Sequence, residues 1–456
     1  MSGSWEGFGR RSDTVPRAPL DDEARSRLDL PSTLRPIPDE GVVQRPVFDP
    51  ALKQYSNAYR AADPYFTDDD AERAWRAARR TAIGLVLSAI SDSPWADSLV
   101  LRGSVLLRAW FGDAAREPGD LDFVVVPQSW RIDESRTQAM FSGLARAAEA
   151  AAVRGAGGDR LDPEGGAVGP EGGAVRIIAA DAASDDIWTY DRVPGRRMIL
   201  PWTCDGLPGG VVQMDFVFNE HLAVAPEPTL LPWASGGRDI ILNTATPELS
   251  LAWKLMWLLT DAHPQGKDLY DAVLLAEHTP LRFDLLREVL LDAEPSEGCR
   301  PVGPGEISAL AQSVEWNHFI VEYPDIPGTA ADRVDRLVTA LAPTFAGVEP
   351  AGEADGEKAG GEYARHARWL EPRIRDHRQL LHRTSMRTVQ KRMSAAGIPV
   401  IAAIVITREL LGPDRHSLED ARAVVFADPA WARLADVYGH RSGWLDRELE
   451  RLHGAG

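Results

Sequence analysis

The spacing of hydrophobic positions divides the chain into three regions. Residues 1–66 contain scattered prolines and little periodicity, so they are predicted to be a disordered tail followed by an irregular wrapping segment. Between residues 67 and 245, helical spacing over 67–90 and 138–153 is combined with short apolar runs typical of strands. The predicted strands are residues 98–101, 120–126, 187–190, 197–202 and 211–218. Beyond residue 246, the apolar positions recur mainly at helical spacing.

These patterns predict an α+β fold, in which a mixed sheet flanked by helices is followed by a helical region and a separate, mainly α-helical C-terminal domain. The first long helix is expected to be capped by Thr67. The later helices are predicted over residues 248–261, 267–277, 281–291, 306–316, 331–342, 362–383, 417–426 and 431–452.

Glycine-rich segments suggest where the folded regions end. Residues 155–175 repeat the sequence Pro-Glu-Gly-Gly-Ala-Val and are interpreted as a flexible loop, and residues 347–362 are interpreted as an acidic linker. The predicted domains are therefore 67–245, 246–346 and 363–456.

Composition and charge limit the classes of protein to which the chain can belong. Lys and Arg total 50 against 68 Asp and Glu, and the net charge of −18 opposes non-specific binding to nucleic acid or to anionic membranes. The longest apolar run, residues 398–406, is far shorter than the roughly 20 residues that cross a bilayer. Cys204 and Cys299 are too few for a disulfide framework. We therefore expect no membrane role and a cytoplasmic location.

Two carboxylates alternate along the strand at residues 120–126. Side chains two residues apart on a strand project to the same face, so Asp120 and Asp122 should converge. Like charges this close repel each other unless a cation lies between them, and oxygen ligands suit Mg²⁺ or Mn²⁺. The pattern therefore predicts a metal site at this strand.

Two further features could complete such a site. Gly103 and Ser104 lie between an apolar strand and a helix, where free N–H groups can bind a phosphate. Asp215 lies on the polar face of a later strand, where an isolated carboxylate needs a partner. If its strand neighbours that of Asp120 and Asp122, three carboxylates could hold two metal ions for phosphoryl transfer.

The chain resembles the polymerase-beta-like nucleotidyltransferases in the order of these elements: a strand, a Gly-Ser turn, a helix, a strand with Asp-x-Asp and a later strand with Asp. The segments Pro-Glu-Leu-Ser-Leu-Ala-Trp-Lys254 and Gly-Lys267-Asp268-Leu-Tyr-Asp271 extend the likeness to the AbiEii/AbiGii toxin family. The match spans about residues 99–275. Arg116 also fits the family pattern, whereas Pro118 replaces its usual Ser.

The resemblance implies a nucleotidyltransferase sheet over 67–245, completed by the helical region 246–346. It implies metal binding by Asp120, Asp122 and Asp215, with Asp215 also acting as base, and binding of NTP phosphates by Gly103 and Ser104. Lys254 would neutralise the triphosphate, while Lys267, Asp268 and Asp271 would line the site. Trp253 and Trp257 are interpreted as core residues.

The activity implied is transfer of a nucleotide from an NTP to RNA, with a tRNA 3′ end as the expected acceptor and a cognate antitoxin protein as a further partner. Two alternatives remain open at this point. The acceptor could be a small molecule or a protein side chain, or the chain could be a catalytically silent nucleotide- or RNA-binding module.

A basic stretch contrasts with the acidic chain as a whole. Residues 363–392 contain nine Lys and Arg residues but only two acidic residues. Arg373, Arg375 and Arg378 are candidates for binding the phosphates of an RNA acceptor. The alternative interpretation is a solvated helix face, or a surface that docks on the acidic remainder of the chain.

Overall fold

The structure is a computed structural model that describes residues 14–157, 174–231, 240–293, 302–346 and 373–431, apart from residues 16–19, 38, 40, 53, 57, 190–192, 262, 396, 397, 399, 413, 414 and 430. It forms two compact units. The first unit comprises Met1–Val289 and Val302–Ala346, and the second comprises Leu290–Pro301 and Gly347–Gly456. Most of the predicted loop at 155–175, the linker at 347–362 and nearly all of the predicted helix at 431–452 lie outside the described residues.

The segment before residue 67 contains more regular structure than its sequence pattern predicts. A short helix, α1, spans Asp22–Leu28. Strands β1 (Val42–Val43) and β4 (Tyr65–Phe66) form one small antiparallel sheet, and β2 (Pro46–Phe48) and β3 (Tyr59–Ala61) form another. Strands of two or three residues are too short to show a hydrophobic period, so long-range packing determines them.

An eight-stranded mixed sheet forms the centre of the first unit, which confirms the predicted fold class. Its strands are β5 (Leu99–Arg102), β6 (Leu121–Val125), β7 (Val175–Ile177), β8 (Ala183–Thr189), β9 (Val193–Cys204), β10 (Leu207–Val217), β11 (Glu227–Leu231) and β12 (Ile240–Thr244). The order is β11-β12-β5-β6-β10-β9-β7, with β8 paired to β9. Strand β6 runs antiparallel to β5 and parallel to β10.

One face of this sheet packs against helices. Helices α2 (Asp69–Ser91) and α4 (Ser135–Gly157) contact each other and the sheet, and the short helix α3 (Ser104–Phe111) follows β5. Phe123 and Phe216 stack in the core on this face. Because strand side chains alternate, the neighbours of these two residues point to the opposite face. Asp68, not Thr67, caps α2, since its side chain accepts a bond from the Asp70 N–H.

The helical region that follows the sheet begins at residue 247. Its helices are α5 (Pro247–Thr260), α6 (Gly266–His278), α7 (Phe283–Ala293), α8 (Pro304–Ala309), α9 (Trp316–Glu322), α10 (Ala330–Ala340) and α11 (Ala342–Phe345). The single helix predicted over 306–316 is wrong. Its last residues leave the helix because the Glu315 N–H donates to the Pro264 carbonyl, and α9 begins at the next residue.

The second unit is helical over its described residues. Helix α12 includes residues 373–381, and α13 (Met386–Ala395), α14 (Val400–Leu411) and α15 (Leu418–Ala427) follow. A small core of its own includes Val389, Met393, Ile404 and Val425. The apolar run at 398–406 lies largely within α14. Among the helices that the structure describes, none is long and apolar enough to span a membrane.

Candidate active site

The sheet face opposite the α2 and α4 helices carries a cluster of three carboxylates. Asp122 lies on β6 directly opposite Asp215 on the parallel strand β10, and Asp120 immediately precedes β6. One oxygen from each carboxylate lies within 4.8 Å of the others. The structure therefore brings together the three acidic residues that the sequence proposes as metal ligands.

The turn between β5 and α3 closes against this cluster. Gly103 has a φ of 84°, and a Cβ at this position would lie 2.3 Å from the Asp122 Oδ2 atom. A side chain here would therefore displace the carboxylate, which explains why the turn uses glycine. The Oγ atom of Ser104, at the start of α3, is buried and has no hydrogen-bond partner among the described residues. Such an unpaired group fits contact with a phosphate oxygen.

The three carboxylates differ in their proton affinity. Burial and the negative charges of Asp120 and Asp215 raise the pKa of Asp122 to about 7. Burial acts in the same direction on Asp120, but the positive charges of Lys267, Arg116 and Arg60 outweigh it and lower its pKa to about 2. The described residues provide no hydrogen-bond donor to either carboxylate. Two unpaired, half-buried carboxylates that repel each other fit the requirements of a divalent cation site.

Asp215 has the partner that its position on a buried strand requires. Arg197 lies opposite it on β9 and donates from Nε to Oδ1 at 2.9 Å and from Nη2 to Oδ2 at 2.7 Å. The remaining Nη1 group of Arg197 donates to Asp49 at 2.7 Å. Burial nevertheless raises the pKa of Asp215. Arg197 thus holds Asp215 in one orientation, while each carboxylate oxygen keeps a lone pair for a further contact.

The N-terminal segment contributes charged groups to the same region. Asp49 follows β2, and Arg60 lies on β3, where it pairs with Glu322 at the end of α9. Arg60 is one of the cations that lower the pKa of Asp120. The small β2–β3 sheet therefore places an acidic and a basic residue beside the carboxylate cluster.

A buried ion network joins the helical region to the loop before β6. Lys254 on α5 contacts Asp268 at 2.7 Å and Asp271 at 3.0 Å, which are one turn apart on α6. Arg116 donates from Nε and Nη2 to the two oxygens of Asp271 at 2.9 and 2.8 Å, and from Nη1 to the Tyr323 hydroxyl. Lys254 and Asp271 are only 5% and 1% exposed. This network fixes α5 and α6 relative to the loop and strand that carry Asp120 and Asp122.

Two of the predicted basic residues have different surroundings. Lys254 already carries two anionic partners, so its proposed contact with the triphosphate stays a prediction. Lys267, at the start of α6, is half-buried, and the described residues give it no hydrogen-bond partner. Burial would lower its pKa, but the negative charges of Asp120 and Asp268 outweigh this effect and raise it. Of these two lysines, Lys267 is the better placed to meet an anionic ligand.

Arg102 is a site residue that the sequence pattern does not reveal. It lies opposite Asp122 on β5 and donates to Glu220 at 2.7 Å. Its guanidinium group lies 5.1 and 5.3 Å from the ring centroids of Trp253 and Trp257, which are both buried. A single basic residue at the end of an apolar strand offers no period or motif, so the sequence alone does not indicate its place in the site.

The sequence also does not indicate four further charged residues, because long-range pairing brings them to the site: Asp49, Arg60, Arg197 and Glu322. The arginines proposed to bind RNA lie in the second unit, where Arg375 and Arg378 are exposed and Arg373 is half-buried. Their role in RNA binding stays a prediction.

Comparisons with known proteins place this arrangement in a family. A model of the nucleotidyl transferase AbiEii toxin family, type IV toxin–antitoxin system, matches residues 85–340. Among solved structures, the chain is similar to MenT4, a nucleotidyltransferase toxin from Mycobacterium tuberculosis H37Rv, at 18% identity and a TM-score of 0.41, over 67% of this chain and 93% of that one. A search of curated proteins gives no match.

The family assignment rests on the sequence match, which covers more than half of the chain and contains all three site carboxylates, Ser104, Lys254 and Asp268. The site therefore belongs to an enzyme that transfers nucleotides. The chain belongs to the family of AbiEii nucleotidyltransferase toxins of type IV toxin–antitoxin systems.

Proposed function

We propose that this enzyme transfers NMP from an NTP to an RNA acceptor, a tRNA 3′ end, with the help of Mg²⁺ or Mn²⁺. The observation that carries this proposal is the convergence of Asp120, Asp122 and Asp215 within 4.8 Å. The family implies the NTP substrate and a cognate antitoxin partner. A cytoplasmic location agrees with these partners.

Asp120, Asp122 and Asp215 would hold the divalent ions, which supply charge neutralisation at the phosphates. Gly103 and Ser104 would receive phosphate oxygens, because Gly103 lies against Asp122, the Ser104 hydroxyl is unpaired, and the free N–H groups at the start of α3 can bind phosphate. Lys267 adds a positive charge near Asp120. These groups bind and orient the NTP before transfer.

In the reaction, the acceptor hydroxyl oxygen forms a bond to the α-phosphorus of the NTP, and the bond from that phosphorus to pyrophosphate breaks. The hydroxyl proton must leave during this step. We assign its acceptance to Asp215, whose burial raises its pKa and which Arg197 orients toward the other two carboxylates. Asp49 and Arg60 act indirectly by positioning Arg197 and by adding charge near Asp120.

The test is incubation of the full-length protein with each NTP, labelled on the α-phosphate, together with Mg²⁺ and total tRNA. We expect label at a tRNA 3′ end with at least one NTP. The variant Asp122→Asn should lose about a thousandfold or more of this activity, because it removes one metal ligand charge without changing the side-chain volume.

The matched control is Asp284→Asn, an exposed aspartate in the first turn of α7, which should label RNA like the parent protein. Full activity of Asp122→Asn would reject the proposed site. Label found in a protein or in a small molecule, but absent from RNA, would reject the proposed acceptor.

A further inference from the structure

The second unit contains two short helices joined by a tight turn. Helix α12 ends at residue 381, four residues follow, and α13 begins at Met386. The Ser385 carbonyl accepts from the Val389 N–H at 3.1 Å, and its hydroxyl accepts from the Thr388 N–H at 3.4 Å. Ser385 therefore acts as the N-cap that starts α13 immediately after the turn. A helix, a turn of three or four residues and a second helix is the connectivity of helix-turn-helix modules.

The inner side of α13 is fixed by a buried polar group. Gln390 is fully buried, donates from Nε2 to the Thr407 hydroxyl of α14 at 2.8 Å and accepts from the Trp431 indole N–H at 2.9 Å. Val389 and Met393 lie on the same side and are fully buried in the core of this unit. Because its amide is paired on both sides, Gln390 fixes the rotation of α13 and therefore which residues face outward.

The outer side of α13 is polar and basic. Arg387, Thr388, Lys391 and Arg392 are exposed, and their spacing places them on one face over two helical turns. Residues 386–395 contain no Asp or Glu. On α12 and in the turn, Arg375, Arg378 and Arg383 are also exposed, while residues 373–395 contain a single acidic residue, Asp376. This density of positive charge is unusual in a chain with a net charge of −18.

We propose that α12 and α13 form a helix-turn-helix that binds duplex DNA, with α13 in the major groove. Arg387, Thr388, Lys391 and Arg392 would reach the base edges, and the arginines of α12 and the turn would contact the phosphates. Duplex DNA is favoured over duplex RNA because the RNA major groove is too deep and narrow for side chains to read. This inference does not rest on the proposed transfer reaction, since it uses residues of the second unit alone.

The experiment is a selection with the full-length protein from a pool of DNA duplexes whose central 20 base pairs are random. We expect repeated rounds to enrich one sequence motif. In fluorescence anisotropy, the triple variant Arg387→Ala, Lys391→Ala, Arg392→Ala should bind the selected duplex at least about 100-fold more weakly. The slope of log affinity against log salt should also fall, by about one unit for each phosphate that the variant no longer neutralises.

The control variant Arg73→Ala, Arg154→Ala, Arg287→Ala removes the same charge from exposed positions of the first unit. It should bind the selected duplex like the parent protein. Both triple variants should retain the parent's melting temperature and its transfer activity, so a loss of DNA binding cannot be assigned to unfolding or to damage at the transfer site.

Three results would overturn the proposal. Enrichment of no motif would show that α13 does not read bases. Equal loss of binding in both triple variants would show that net charge alone is responsible. If the protein bound tRNA but bound none of the DNA duplexes, the basic face would be an RNA-binding surface instead.

Discussion

The two units of this protein differ in whether their main charged side chains are buried or exposed. In the first unit, charged groups are buried and paired, as in the network of Lys254, Asp268, Asp271 and Arg116. In the second unit, the conspicuous charges are exposed, and the two fully buried polar side chains among the described residues, Gln390 and Thr407, are neutral. Buried ion pairs have strict geometric requirements, so they suit an active site that must keep two unpaired carboxylates in place. Exposed cations instead suit recognition of an external polyanion.

The largest effect on stability should come from breaking the buried network. Replacing Lys254 by Met leaves Asp268 and Asp271 buried with one fewer cation, and should lower the free energy of unfolding of the first unit by about 3–5 kcal/mol. Lys391→Met, at an exposed position of the second unit, should change stability by less than about 0.5 kcal/mol. Urea denaturation followed by circular dichroism measures both. Similar stabilities for the two variants would remove the contrast between the units.

A smaller effect is expected in the second unit. Gln390→Leu leaves the buried Thr407 hydroxyl and Trp431 N–H without their partner, and should cost about 2–3 kcal/mol. The control is Gln379→Leu, an exposed glutamine on α12, for which little change is expected. Thermal unfolding measures stability, and the labelled-NTP assay should show that both variants transfer nucleotides normally. Equal melting temperatures for the two variants would show that Gln390 does not fix α13.

The stability of the first unit should decrease gradually as the pH falls below about 4. Although burial opposes the shift, the nearby cations lower the pKa of Asp49, Asp271 and Glu322 in the folded first unit. Their stabilising contribution is therefore complete above the unfolded pKa of about 4 and is lost as the pH falls below it. Because Asp122, with its pKa raised to about 7, already carries its proton near pH 4.5, urea midpoints measured from pH 4.5 to pH 3 should fall, and Asp271→Asn should flatten this dependence. An unchanged midpoint at pH 3 would contradict the paired state of these carboxylates.

Much of the central site can be predicted from local sequence. A strand of alternating residues defines the shared direction of Asp120 and Asp122, and an apolar strand followed by Gly103 and Ser104 indicates a turn into a helix. Asp215 stands out because it is the acidic residue on a largely apolar strand. Each of these signals is contained in a few consecutive residues.

The support around the site could not be predicted in this way. Arg197 and Asp49 are separated by 148 positions, and Arg60 and Glu322 by 262. Such pairs depend on how β2, β3 and α9 pack against the sheet, which no local period encodes. Likewise, the sequence shows that Lys254 lies on a helix, but only packing brings α5 and α6 close enough to bury it between Asp268 and Asp271.

The most direct test of the account is Mn²⁺ binding to the full-length protein, measured by electron paramagnetic resonance. We expect the parent protein and Asp284→Asn to bind Mn²⁺ equally, and Asp122→Asn to bind it at least about tenfold more weakly, because a ligand oxygen loses its charge. Equal Mn²⁺ affinity in the parent protein and Asp122→Asn would contradict the claim that the three converging carboxylates form the metal site of this transferase.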